Sequence, residues 1–133
     1  MTIFTKIAKG EIPSWKVAEN EEFYAFLDIN PLAKGHTLVI PKNVEDDYIF
    51  HLDESTYAGL WAFARKVAVA IKAAVPCKRV GVAVLGMEVP HTHIHLVPLQ
   101  TEGDLDFRKK RPEVTPERMA AIAASVLAEY EKL

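Results

Sequence analysis

The chain has 133 residues, half of them hydrophobic, and a formal net charge of −2. This length suits one globular domain, and the balanced charge gives neither a basic surface for a nucleic-acid duplex nor a like-charged tail. Cys77 is the single cysteine, so neither an internal disulfide nor a cysteine zinc cluster can form. No segment has the pattern of a signal peptide or a membrane span. We therefore expect a soluble cytoplasmic protein with no nucleic-acid or membrane partner.

The first third of the chain combines one helical pattern with three strand patterns. Apolar residues at helical spacing predict a short helix over residues 3–12, which contains a glycine as its end signal. Residues 15–19 and 23–29 are predicted as the two strands of a hairpin, joined by a polar turn. A loop with proline and glycine precedes a third strand at 36–40.

The rest of the chain predicts a long helix, two strands and a final helix. Asp53 is the expected N-cap of an amphipathic helix over 54–75, which should cover one face of a sheet. The apolar run 80–85 is typical of a buried central strand. After a polar loop at 101–113, Thr115 is the expected N-cap of the last helix. Strands with tight connections favour an α+β fold with an antiparallel sheet.

Three of the five histidines, His91, His93 and His95, occupy alternate positions in the apolar run 89–98. In a β-strand this period places the three side chains on one face, with neighbours about 7 Å apart along the strand. A buried histidine needs partners for its ring nitrogens, and packing alone does not explain three in strict alternation. The run therefore indicates a functional site.

Two chemistries fit this row of imidazoles. Two imidazoles of a His-x-His strand can bind one zinc ion, with a third ligand such as Glu88 or Asp28 completing a catalytic set. The outer histidines, however, are about 13–14 Å apart by strand rise and do not easily meet at one ion. The alternative is nucleophilic catalysis at phosphorus, in which one imidazole attacks while its neighbours fix its tautomer and donate to phosphate oxygens.

The run 90–97 resembles the histidine-triad (HIT) signature of nucleotide hydrolases and transferases, His-φ-His-φ-His-φ-φ with φ apolar, from which Thr92 is a mild departure. Residues 3–13 look like the opening helix of this family. Residues 25–31 and 35–42 look like its nucleotide-binding strand, turn and strand. In order and spacing the resemblance covers residues 2–98.

The resemblance implies that His93 attacks the α-phosphorus of a nucleotide, that a nucleotidyl-histidine intermediate forms, and that water then releases a nucleoside monophosphate. By the same resemblance, His95 donates to the phosphate oxygens, while His91 and His36 orient the cluster. Asp28 matches the position that holds the ribose hydroxyls. An apolar slot suits a flat base. The positions that match its lining are Ile3, Phe4, Ile7, Phe26, Leu27 and Ile29.

The resemblance also implies a five-stranded antiparallel sheet covered by the long central helix, with residues 1–100 as the HIT domain. It implies a homodimer in which two sheets join. The expected substrates are adenylates: an adenosine phosphoramidate, an acyl or sulfo adenylate, or a dinucleoside polyphosphate. No metal or other cofactor is expected. Residues 101–133 extend beyond compact family members, and we expect this loop and helix to pack on the same domain.

The chain departs from the family pattern just before the triad and near its start. Many members carry Gln and then Ser or Thr before the triad, where this chain has Met87 and Glu88. We expect Glu88 to act as general acid for the leaving group; its charge would otherwise exclude some substrates. Thr2, Thr5 and Asn43 replace the ligands of the zinc-containing members, so that zinc site is absent. The alternatives are a nucleotide-binding regulatory module with little turnover and a zinc-dependent hydrolase.

Overall fold

The computed structural model describes all 133 residues. The helices are α1 (Ile3–Ala8), α2 (Glu54–Ala74) and α3 (Pro116–Glu131). The strands are β1 (Lys16–Glu19), β2 (Phe23–Leu27), β3 (Thr37–Pro41), β4 (Arg79–Ala83) and β5 (Ile94–Leu99). Short 3-10 helices lie at Ile49–His51 and Glu102–Leu105. Helix α1 is shorter than predicted. The 3-10 helix at Glu102–Leu105 lies in the segment 101–113, which was predicted as a loop.

The five strands form one antiparallel sheet in the order β1-β2-β3-β5-β4. This order confirms the predicted α+β fold with a five-stranded antiparallel sheet. The expectation that residues 80–85 form a central strand is wrong, because β4 pairs with β5 alone and lies at the edge of the sheet. An apolar run indicates a strand but does not specify how many neighbours that strand has.

Helices α2 and α3 cover one face of the sheet. Asp53 begins α2 by accepting a hydrogen bond from the backbone N–H of Thr56 (2.8 Å), and Thr115 caps α3 in the same way. A main core of 18 buried residues includes side chains of both helices and of the sheet. Helix α3 packs against α2 and β1. No helix combines the length with the apolar character that a membrane crossing needs.

A smaller apolar cluster occupies the other face of the sheet, where α1 lies. Its buried members are Phe4, Tyr24, Phe26, Leu38 and Ile40. Because side chains alternate along a strand, Leu27 faces the helices and belongs to the main core, where it is 1% exposed. The expectation that Leu27 lines the base slot is therefore wrong.

Strand β5 begins at Ile94, after the first two histidines of the triad. The backbone N–H and the hydroxyl of Thr92 both donate to the carbonyl of Asp46 (2.8 and 2.7 Å). These bonds connect the segment to a loop instead of to a neighbouring strand. The prediction that one strand runs through all three histidines is wrong, since His91 and His93 precede the strand.

The three imidazoles nevertheless lie on the α1 face of the sheet. His95 is paired directly opposite Leu38, and directly opposite residues of an antiparallel pair share a face. The rings of His91 and His93 both contact Phe4, and the ring of His93 contacts that of His95. The alternation in the sequence thus brings the rings together even where the backbone is not in the sheet.

Candidate active site

His36 and His95 form a hydrogen-bonded pair in which the backbone sets the positions of the protons. The N–H of Leu32 donates to Nδ1 of His36 (2.9 Å), so this nitrogen is an acceptor and the proton of the neutral ring is on Nε2. Nε2 of His36 lies 3.0 Å from Nδ1 of His95 and donates to it. The proton of His95 is consequently on Nε2, where it is available as a donor to a ligand.

A second chain of hydrogen bonds fixes His93 and His91. Nδ1 of His93 lies 2.7 Å from the carbonyl oxygen of His91, and because a carbonyl only accepts, Nδ1 carries the proton. Nε2 of His93 therefore presents a lone pair. His91 donates from Nε2 to the carbonyl of Pro41 (2.8 Å), and its Nδ1 accepts from the hydroxyl of Thr2 (2.7 Å).

These two chains give adjacent rings opposite roles. The ring centroids of His93 and His95 are 4.9 Å apart, so a nucleophilic lone pair and an N–H donor lie in one site. An unprotonated imidazole nitrogen attacks electrophilic centres, and a fixed N–H donor stabilises negative charge on an oxygen. The pair is suited to attack on a centre that carries anionic oxygens, such as the phosphorus of a phosphate derivative.

Burial keeps the four clustered histidines neutral. It is the largest cause that lowers the pKa of His36 to about 3 and that of His95 to about 4, and neighbouring histidines and Arg111 lower both further. Burial also lowers the pKa of His91 and of His93, outweighing the carbonyl hydrogen bonds and nearby carboxylates that act in the other direction. At neutral pH His93 therefore keeps its lone pair.

An apolar slot next to His93 is built from α1 and β2. The ring of Phe4 lies edge-on to His93 and to Phe26, with centroid separations of 5.0 and 5.5 Å. Ile7 packs partly buried against the same cluster. Ile3 and Ile29 are 50% and 84% exposed. The structure thus brings three of the expected slot residues together and leaves these two isoleucines open to solvent.

Asp28 follows β2 and lies beside His36. One carboxylate oxygen accepts from the N–H of Asn30 (2.8 Å), and the other lies 3.7 Å from Nε2 of His36. Burial raises the pKa of Asp28. Its side chain still has 18% of its surface exposed, and a carboxylate with spare acceptor sites suits a pair of hydroxyl groups.

A cavity of about 170 Å³ opens beside His95. Its lining residues are Asp28, Leu85, Met87, Glu88, His95, Phe107 and Arg111. The exposed side chain of Glu88 thus shares a cavity with the expected ribose ligand and one triad histidine. Phe107 and Arg111 were not predicted, because the polar segment 101–113 carries no periodicity or motif that points to this site.

Phe107 and Arg111 fold the segment after β5 over the histidine pair. The ring of Phe107 lies edge-on to His95 at 4.9 Å and to His36 at 6.4 Å. Arg111 donates to the carbonyls of Asn30 (2.6 Å) and Phe107 (3.2 Å). The C-terminal segment therefore contributes an aromatic ring and a cation to the site.

A hydrogen-bond network joins the start of α1 to His91. The Thr2 hydroxyl that donates to His91 accepts from the N–H of Thr5 (3.1 Å). The hydroxyl of Thr5 and the N–H of Thr2 both donate to the carboxylate of Glu45. Glu45 was also not predicted, because a contact with α1 across 40 residues leaves no local signal in the sequence.

Polar atoms of Asp28, His36 and His95 lie within 4.8 Å of one another, a spacing that a metal ion can bridge. The tautomer of His36 opposes metal binding there. A metal on Nε2 would move the proton to Nδ1, where the N–H of Leu32 already donates, so two donors would face each other. The hydrogen-bonding arrangement fits a proton between His36 and His95.

Comparison with known proteins connects these features to one family. A sequence model of the HIT domain matches residues 9–102. The protein hit of Bacillus subtilis is 37% identical over an alignment of 135 positions, which covers 93% of this chain and 90% of that protein. The adenosine 5′-monophosphoramidase of Saccharomyces cerevisiae is 37% identical over 101 residues, which cover 75% of this chain and 63% of the yeast protein.

A solved structure has the same fold over nearly the whole chain. It is that of a hypothetical histidine triad nucleotide-binding protein from Sulfolobus tokodaii, with a TM-score of 0.80 and 33% identity, covering 98% of this chain and 92% of that one. The similarity includes the long α2 helix and the helix that follows the triad, because it extends over 98% of the chain. The chain therefore belongs to the histidine-triad (HIT) family.

Proposed function

We propose that this protein hydrolyses nucleoside 5′-phosphate derivatives, with adenylates as substrates, through a covalent intermediate on His93. The observation that carries the proposal is the pair of opposite tautomers, with a lone pair on Nε2 of His93 beside the N–H of His95. The named phosphoramidase activity of the yeast relative supports the class of reaction and the choice of adenosine.

In this mechanism the base enters the slot beside Phe4 and the ribose hydroxyls bind Asp28. Nε2 of His93 forms a bond to phosphorus while the bond from phosphorus to the leaving group breaks. The N–H of His95 donates to a phosphate oxygen, and the carbonyl of His91 stabilises the charged imidazole through Nδ1–H. Water then attacks phosphorus and loses a proton to the solvent while the bond from phosphorus to Nε2 breaks, so that the nucleoside monophosphate leaves and His93 regains its lone pair.

Glu88 is proposed as the general acid that protonates the leaving group. It lines the same cavity as His95, which supports a position near the bond that breaks. Glu88→Gln keeps the shape of the side chain but cannot transfer a proton, so turnover of a phosphoramidate should fall. A basic amine needs a proton to leave, whereas a polyphosphate does not, and turnover of the polyphosphate should fall less. Unchanged turnover of the phosphoramidate would contradict this role.

The test of the overall proposal is turnover of a small panel by wild type and His93→Ala. The panel contains adenosine phosphoramidate, a diadenosine polyphosphate and the guanosine counterparts. His51→Ala is a matched control, because it removes an exposed histidine outside the cluster. Wild type and the control should release nucleoside monophosphate, and His93→Ala should not. Full turnover by His93→Ala would contradict the proposal.

A nucleotide-binding module with little turnover is a second candidate, which the replacement of the usual residues before the triad by Met87 and Glu88 favours. Binding of AMP without hydrolysis of any adenylate would support it. The zinc-dependent hydrolase predicts a different result, because its activity would disappear when a chelator is added and return with zinc. The covalent route on His93 requires no metal ion, so a chelator should leave its activity unchanged.

We also propose that two copies of the chain form a homodimer through β4. This strand is paired on one side only, so its outer backbone groups are free to pair with a second strand. Val82 and Leu85, in and just after the strand, are exposed apolar side chains. Light scattering should give the mass of a dimer for wild type and of a monomer for Val82→Glu. A monomeric wild type would contradict the proposal.

A further inference from the structure

Arg111 is the one cationic side chain of the cavity beside His95, whose other charged members are the carboxylates of Asp28 and Glu88. Its guanidinium has five N–H groups, and the bonds to the carbonyls of Asn30 and Phe107 use two of them. Arg111 forms no salt bridge, so three donors are available to a ligand, although its charge also acts on the nearby carboxylate of Asp28. Arg111 also lies beyond residues 9–102, which the family model matches.

Arg111 lines a second feature as well, an open groove of about 930 Å³. The charged residues that line this groove are Lys34, Asp104, Lys109, Lys110, Arg111 and Glu113. Lys109 is paired with Asp104 (3.7 Å), whereas Lys34 and Lys110 are exposed and form no salt bridge. Three unpaired cations therefore face one unpaired carboxylate, and the groove, defined by these residues, is basic.

We propose that Arg111, Lys34 and Lys110 form a subsite for an anionic leaving group, one that carries several phosphate charges. The inference rests on the proposed function and specifies the substrate class of the same site. Arg111 is shared by the cavity next to His95 and by the basic groove. A leaving group that departs from the histidine cluster at Arg111 can therefore extend into the groove that the two lysines line. The groove is within the roughly 300–1,000 Å³ of small-molecule sites, large enough for a second nucleotide.

The chemistry of the first step explains why cations matter there. When Nε2 of His93 bonds to phosphorus, the bond to the bridging oxygen breaks and this oxygen keeps the electron pair. The negative charge of a polyphosphate leaving group thus increases during the step, and fixed cations stabilise it more in the transition state than in the ground state. A neutral amine leaving group has no negative charge for these side chains to bind.

The test compares two substrates with one amine and one anionic leaving group, adenosine phosphoramidate and diadenosine tetraphosphate. The readout is the ratio of kcat/KM for the tetraphosphate to kcat/KM for the phosphoramidate. The double variant Lys34→Glu with Lys110→Glu reverses two groove charges. Lys66→Glu with Lys72→Glu is the control, because it makes the same change in net charge at two exposed positions of α2. Binding of inorganic tripolyphosphate, measured by titration calorimetry, provides a readout independent of turnover.

The groove variant should lower the ratio by about tenfold at low salt and weaken tripolyphosphate binding, since each exposed charge pair contributes modestly and reversal changes two of them. High salt should reduce the effect. The control should leave both readouts at their wild-type values. An unchanged ratio in the groove variant, or an equal fall in the control, would overturn the subsite while phosphoramidate turnover still supports the proposed function. If wild type turned over neither substrate, the proposed function would be contradicted. Weaker tripolyphosphate binding by the groove variant than by wild type would then still support the subsite, and equal binding would overturn it.

Discussion

Acidification should destabilise the fold through the buried histidine pair. The pKa of His95 is lowered to about 4, chiefly by burial, while an unfolded chain titrates histidine near 6.5. Below pH 6.5 the unfolded chain therefore binds a proton that the folded chain does not, and stability falls as the pH falls from about 6.5 to about 4. Above pH 6.5 His95 is neutral in both the folded and the unfolded chain, so its titration no longer changes the stability.

The size of the effect follows from the separation of the two pKa values. Between pH 7.5 and 5.0, one such histidine costs about 2 kcal/mol of unfolding free energy. His36, whose pKa is about 3, adds a second contribution of about the same size over this range. The expected measurement is urea unfolding, followed by tryptophan fluorescence, at several pH values within this range.

His95→Gln isolates the contribution of one ring, because glutamine does not titrate. The fall in stability between pH 7.5 and 5.0 should be about 2 kcal/mol smaller in this variant than in wild type. His51→Gln, which replaces a histidine whose side chain is 64% exposed, is the matched control variant. An identical fall in wild type and His95→Gln would refute the reasoning that His95 is held neutral in the fold.

Three further predictions concern Thr2, Asp28 and His93. Thr2→Val removes the hydroxyl that donates to a buried nitrogen of His91 and caps α1, and it should lower the unfolding free energy by about 1–3 kcal/mol in urea titrations. Thr2→Ser keeps this hydroxyl and should keep the wild-type stability. Equal stability of the two variants would argue against these bonds. Asp28→Asn should raise KM about tenfold for an adenosine substrate and little for its 2′,3′-dideoxy analogue, and equal changes would exclude a ribose contact. Because burial lowers the pKa of His93, kcat/KM should stay constant as the pH is lowered to about 6.5 and should fall only at lower pH. A fall in kcat/KM centred above about pH 6.5 would be inconsistent with a buried neutral nucleophile.

Local signals in the sequence predicted most of the elements and the face on which the three triad rings lie. Asp53 and Thr115 begin the two long helices as expected, because an N-cap is decided by a side chain and the backbone a few residues away. The alternation of the triad predicted three rings on one face, and they lie there. The orientation of Leu27 was missed, although the alternation within β2 that buries it beneath the sheet is itself a local signal.

The parts of the site that the sequence did not predict depend on contacts between distant segments. Glu45 reaches the start of α1, and Arg111 reaches a carbonyl 81 residues earlier in the chain. Neither position has a pattern that specifies its partner. The edge position of β4 has the same origin, because strand order depends on how the whole chain folds back and not on the apolar run itself.

The most direct test of the central claim is to trap the covalent intermediate. Wild-type protein mixed with an adenosine phosphoramidate and quenched early in turnover should gain the mass of one adenylyl group, and fragmentation should assign it to His93. His93→Ala should gain none, while the His51→Ala control should match wild type. The same adduct on His93→Ala, or wild-type turnover with the adduct absent or on another residue, would contradict His93 as the nucleophile.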